Sequence, residues 1–148
     1  MSGLRQLRII YFALLTGQII YFLGAFFLVS DNLVVLNENY DSVPGLLISI
    51  LVIILVVIAK LFYTQAINRK IRESSLKEKL YSYRINNIIK YALLEASDLL
   101  SITYFLLTGD FLFVGMSLIV IGLFLINIPG REKFISDYEL KSSGNKWT

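Results

Sequence analysis

Hydrophobic residues in this chain fall into four long runs that carry little charge and do not alternate with polar positions. They cover residues 9–29, 43–63, 88–107 and 111–128. A helix needs about 20 mainly apolar residues to cross a bilayer. The first three runs reach that length; the fourth is slightly short and is closed by Pro129. Strands of a membrane barrel would alternate apolar and polar side chains over about ten residues, which none of these runs does. The pattern predicts an all-α protein, a membrane four-helix bundle built of two helical hairpins, with residues 1–148 as a single integral membrane domain. The first run follows Arg5 and Arg8 as a signal peptide would. It is longer than the usual apolar core of about 7–15 residues and lacks a small-x-small cleavage site, so it is read as a retained helix.

The polar positions set the ends of these helices. Ser42 can cap the second helix, with Pro44 in its first turn. Thr108-Gly109-Asp110 joins the last two runs: Gly109 suits a left-handed C-cap and Asp110 the next N-cap. Runs three and four are therefore expected to form a tight antiparallel pair. Between runs two and three, residues 64–87, Ser75 and Glu78 have capping-box spacing. Ile67, Ile71, Leu76, Leu80 and Ile85 fall at helical intervals. This predicts a helical hairpin broken near Ser74 and Ser75, with the second run continuing to about Glu73. At about 1.5 Å per residue it would project roughly 15–20 Å past the bilayer.

Composition agrees: 56% of residues are hydrophobic and 17% charged, against about a half and about a quarter in soluble domains. The mean hydropathy is +0.68. Cysteine and histidine are absent, which excludes disulfides, thiolate chemistry and the commonest general base and transition-metal ligand. The net charge of +3 does not point to nucleic acid, because the basic residues flank the apolar runs. Residues 60–90 hold eight Lys or Arg, the N-terminal segment Arg5 and Arg8, and residues 129–148 hold Arg131, Lys133, Lys141 and Lys146. The other two connections hold none, only Asp31, Glu38, Asp41 and Asp110. The positive-inside rule predicts four crossings, with both termini and the middle loop in the cytoplasm.

Two acids lie inside the third run. Glu95 and Asp98 are three residues apart, and the nearest cation of that run, Lys90, is near its end. Ionisable groups in lipid are costly and point to function. At 100° per residue Asn87, Tyr91, Glu95, Asp98 and Ser101 share about a third of the helix circumference, a stripe that must face protein. The two carboxyls are surface neighbours and are expected to titrate as a unit. Tyr91, Ser101, Gln18 and Thr16 are the candidate neighbours of this ion or proton site. The alternative is that the acids only hydrogen-bond neighbouring helices.

Small residues, namely Ala13, Gly17 and Gly24, Gly45 and Ser49, and Gly115 and Gly122, mark faces where helices can approach closely within the bundle or between subunits. Tyr11, Tyr21, Phe62, Tyr63 and Tyr91 are candidates for interface anchors. Glu132, Asp137 and Glu139 read as a solvated tail. The chain has no phosphate-binding glycine loop, HExxH, EF-hand or Ser/His/Asp set, so it is read as not an enzyme, with no metal and no cofactor. Its partners are the lipid bilayer and a membrane-protein partner or second copy.

The first and third runs align without gaps, Ile9 to Asp31 over Ile88 to Asp110, with Ile, Ile, Ala, Leu, Leu, Phe, Leu and Asp recurring at matching positions. Two hairpins in one orientation would form a parallel repeat; Thr16 then matches Glu95, and Ile19 matches Asp98. Ala13-Leu-Leu-Thr-Gly-Gln18, Ala92-Leu-Leu-Glu95, Leu107-Thr-Gly109 and Pro129-Gly-Arg-Glu-Lys133 resemble the pattern of a group of small four-span membrane proteins of bacteria, chiefly Bacteroidota. The resemblance covers most of the chain, departs from the pattern at Ala96-Ser97, and implies a fold but no activity. A fainter likeness to V-type ATPase rotor-ring subunits lacks their glycine-rich packing helices, and its acid lies on the wrong helix of the hairpin. The sequence thus points to a proton- or cation-responsive membrane component, or to a structural or assembly partner in a membrane complex.

Overall fold

The structure is a computed structural model and describes residues 2–33, 42–70 and 75–137. Those residues are all-helical: α1 Ser2–Ser30, α2 Ser42–Lys70, α3 Leu76–Thr108, α4 Phe111–Ile126 and a short α5 Arg131–Asp137. The four long helices match the four apolar runs.

The termini follow from local chemistry. α1 stops where Asn32 turns left-handed at φ 53°. Leu33 N donates to Leu28 O at 3.1 Å and Asn32 N to Val29 O at 3.2 Å. This is a Schellman ending with asparagine, the side chain after glycine best suited to that conformation. α2 begins at Ser42 with Pro44 in its first turn. Ser75 caps α3 in a complete capping box: Glu78 N donates to Ser75 Oγ at 3.4 Å and Ser75 N to Glu78 Oε2 at 3.0 Å. Gly109, at φ 69°, ends α3. Asp110 then caps α4 by accepting from Leu112 N at 3.0 Å. α4 ends at Ile126 with Asn127 as C-cap, two residues before Pro129, so it is shorter than its apolar run. The expected break near Ser74, the end of α2 at Glu73 and the acidic connection at Asn37 to Asp41 lie outside the described residues.

α3 is the hub, packing against α1, α2 and α4. It has 33 residues, about 50 Å of helix, against about 30 Å for a bilayer core. α1 and α3 run parallel: Tyr11 meets Tyr91 at 5.3 Å between ring centres, Tyr21 Oη and Thr103 Oγ1 are 2.9 Å apart, and Phe26 stacks on Phe105 at 6.3 Å. The partners differ by 79 to 82 in residue number, close to the offset at which the two segments align in sequence. α2 buries one narrow seam, Gly45, Val52, Ala59, Tyr63 and Ile67, largely at the seven-residue spacing of a coiled-coil contact.

The outer faces are apolar. α1 buries only Leu7, Tyr11, Leu15, Gln18, Ala25 and Val29 among its described side chains, and leaves Ile20 65% exposed; Leu47 on α2 and Ile119 on α4 are 60% and 66% exposed. Over Gly3–Ser30 and Val43–Asn68, two helices are long and apolar enough to cross a membrane, and most of each faces away from the core. Contiguous apolar surface on this scale marks contact with lipid or another protein.

Several expectations are corrected here. Gly17, Gly24, Gly115 and Gly122 have open space where a Cβ would stand, so they do not bring helices of this chain together. Tyr11 and Tyr91 are wholly buried core residues rather than interface anchors. The segment after Pro129 starts as a docked helix rather than a solvated tail. Phe134 is buried against Tyr83, 5.1 Å between ring centres. Glu132 is exposed as expected.

Candidate functional site

The buried apolar residues fall into two clusters. The first contains Leu7, Tyr11 and Leu15 of α1, Ala59 and Tyr63 of α2, Tyr91 and Leu94 of α3, and Val120 and Phe124 of α4. The second contains Ala25 and Val29 of α1, Ile102 and Phe105 of α3, and Phe113 of α4. Between them the same helices change chemistry. α1 contributes Gln18, α3 Ser97, Asp98 and Ser101, and α4 Ser117, all at 0% exposure. α2 places Val52, 2% exposed and in neither cluster, in the gap on its own seam. A single layer of buried polar groups thus crosses the bundle between two apolar blocks.

The bonding inside this layer is specific. Ser117 Oγ donates to Asp98 Oδ1, a bond that ties α4 to α3. Ser97 Oγ donates to Leu94 O at 2.7 Å and Ser101 Oγ to Ser97 O at 3.0 Å. Serine hydroxyls bonded back to their own helix are the usual way to satisfy such groups where water is scarce. Asp98 Oδ2 and both amide atoms of Gln18 are buried without a hydrogen-bond partner among the described residues. Buried polar atoms almost always find partners, so these three atoms set the layer apart from the apolar blocks on either side. Gln18 lies between Tyr11 and Phe26, whose partners on α3 are Tyr91 and Phe105. It therefore stands at the level of Asp98.

Of the residues expected at the site, the structure brings Asp98, Ser101 and Gln18 into one layer. Tyr91 lies about two turns away and donates to Asn127 O at 2.7 Å. Glu95 is half-buried at the rim of the layer. Thr16 is exposed and outside the site. It is two residues from Gln18, hence on a different face of α1. Ser97 and Ser117 were not among the expected residues. Ser117 is the only polar side chain in α4, and a hairpin folded at Gly109 sets it opposite Asp98, so its position was open to inference.

A second polar cluster closes the end of the bundle that carries Arg8. Lys90 Nζ and Lys133 Nζ both donate to Asn127 Oδ1, at 2.6 and 2.9 Å, and Asn127 Nδ2 donates to Leu123 O at 2.7 Å. Lys90 also lies 4.2 Å over the Tyr63 ring. Asn87 Nδ2 donates to Tyr83 O at 2.8 Å and contacts Tyr63 Oη at 3.4 Å. Arg8 Nε donates to Pro129 O at 3.2 Å and Tyr11 Oη to Phe124 O at 2.8 Å. These bonds clamp the α4–α5 elbow to α1 and α3, and account for Lys90, Tyr91 and Tyr11 as structural groups.

No family model, curated protein or solved structure matches the chain.

Proposed function

We propose that the chain is a four-span protein of a bacterial inner membrane, with both termini cytoplasmic, in which Asp98 is the ionisable centre of a proton- or cation-responsive component and Glu95 stands at its rim. The spanning part of this reading is supported by apolar outer faces on α1, α2 and α4, and by basic residues gathered on one set of connections and acids on the other. Of the four long helices α3 alone carries acidic side chains, and it is also the helix that packs against all the others, as a helix with acids in lipid must be. The matching offset of α1 and α3 in sequence and in space supports descent from a duplicated hairpin. The likeness to small four-span proteins of Bacteroidota belongs to the same proposal.

The observation that carries the functional part is the full burial of Asp98 with one carboxylate oxygen bonded to Ser117 and the other without a partner among the described residues. A carboxyl needed only to accept from Ser117 has no use for a second buried polar atom, and a serine would make the cross-link without one. The rival reading, a structural acid in a subunit or assembly partner, is favoured by the Ser117 bond itself. Infrared difference spectroscopy on reconstituted protein separates them. A carboxyl band that titrates and disappears in Asp98→Asn supports the ionisable centre, whereas a band that ignores pH supports the cross-link.

A further inference from the structure

The layer around Asp98 has more hydrogen-bond acceptors than donors. The hydroxyl protons of Ser97, Ser101 and Ser117 are already given to Leu94 O, Ser97 O and Asp98 Oδ1. What remains is lone pairs on three hydroxyl oxygens, Asp98 Oδ2 and Gln18 Oε1; the only donor left is the Gln18 amide nitrogen. No basic side chain of the four helices stands at this level. The nearest in sequence are Arg8 on α1, Lys60 on α2 and Lys90 on α3, eight to ten residues from Gln18, Val52 and Asp98, or about 12–15 Å along a helix. α4 has none.

An ionised carboxylate in such a layer requires a positive charge beside it, because an unpaired charge away from water is strongly disfavoured. The free lone pairs are all on hard oxygens, suited to hard cations rather than soft metals. One carboxylate in the layer balances one unit of charge. A divalent ion would leave an excess positive charge between two apolar clusters. α1 packs mainly on α3 and to a small extent on α4, and Gln18 is buried at the level of Asp98.

We propose that this layer binds one dehydrated alkali-metal cation between Asp98 Oδ2, Gln18 Oε1 and the hydroxyl oxygens of Ser101 and Ser117. The proposal rests on Asp98 as an ionisable centre and adds the chemical class of what it holds. Gln18 then has a role that packing does not give it, its amide oxygen serving as a ligand.

The test is thermal unfolding of the purified full chain in detergent, in sodium chloride against choline chloride at constant ionic strength. A ligand of the folded state raises Tm with the logarithm of its concentration. Wild type is expected to show that rise with sodium. Asp98→Asn, which keeps an acceptor for Ser117, is expected to lose it. Gln18→Ala is expected to need about ten-fold more sodium for the same shift, the loss of one ligand. If Asp98→Asn fails to fold, carbodiimide labelling of Asp98 in wild type reads the same site, and slower labelling in sodium than in choline supports it. Equal Tm and equal labelling in the two salts overturn the cation site. If the Asp98 carboxyl still titrates in sodium-free buffer under that outcome, the ionisable centre stands without the cation. If it does not, both fall.

Discussion

Ser117 on α4 donates a hydrogen bond to the carboxylate of Asp98 on α3, and neither side chain has any surface open to solvent or lipid. This bond is the interhelical hydrogen bond at the centre of the polar layer. It sits at the one level where α1, α3 and α4 all abandon apolar side chains.

Removing it has a bounded effect. Ser117→Ala is expected to destabilise the folded protein by about 0.6 kcal/mol and at most about 2, the range for interhelical bonds in membranes. Asp98→Asn is expected to change stability less, since the amide oxygen can still accept from Ser117. Asp98→Leu also strips the polar partner from Ser117 and is expected to cost more than Asp98→Asn. Denaturation in mixed micelles followed by circular dichroism gives the order; a Ser117→Ala protein as stable as wild type would remove the bond from the account.

Asn127 is the keystone of the other cluster. Its side-chain oxygen accepts from Lys90 and Lys133 while its backbone oxygen accepts from Tyr91. Asn127→Ala removes two charge-assisted bonds, one from the buried ammonium of Lys90 and one from Lys133. The expected loss is roughly 1.5–3 kcal/mol, with α5 released first. Faster proteolysis after residue 130 in the variant than in wild type would show it; unchanged cleavage would mean that contacts other than those of Asn127 hold α5.

The capping box at Ser75 supports the start of the hairpin helix. Ser75→Ala is expected to cost about 1 kcal/mol and to speed amide exchange across the first turn of α3, residues 76–80, without touching residues 90–105. Equal exchange in wild type and variant would show that packing, rather than the cap, holds that turn.

Much of this architecture can be read from residue types alone. Four apolar runs, the Ser75–Glu78 spacing and the Gly109-Asp110 turn specify local conformations that nothing in the tertiary structure opposes. Asp98 was legible because an acid in an apolar run is costly wherever the helix packs. Ser117 was less legible, since a lone serine among apolar residues reads as a small packing residue until its partner helix is known. Thr16 and Gln18 look alike in sequence, and only the choice of buried face on an apolar helix separates them. That face could not be read from periodicity, because α1 is apolar on every side. The docking of α5 was hidden because the partners of Phe134 and of the elbow, Tyr83 and Arg8, lie in distant parts of the chain.

Topology is predicted by charge. Reporters fused after Thr148 and within residues 70–79 are expected to read as cytoplasmic, and one within residues 37–41 as periplasmic. A periplasmic reading after Thr148 would contradict an even number of spans.

The central claim is that Asp98 is an ionisable centre rather than a fixed cross-link, and its carboxyl stretching band tests that most directly. Infrared difference spectra of reconstituted protein, taken across the pH range in which the fold survives, are predicted to show a protonated-carboxyl band that rises and falls with pH in wild type. The band should be absent in Asp98→Asn and shifted in frequency in Ser117→Ala, where its hydrogen bond is gone. Glu95→Gln is predicted to keep the band and move its midpoint, as a neighbouring charge must. A wild-type spectrum with no Asp98 band that responds to pH would contradict the account and leave the acid as a structural tie between α3 and α4.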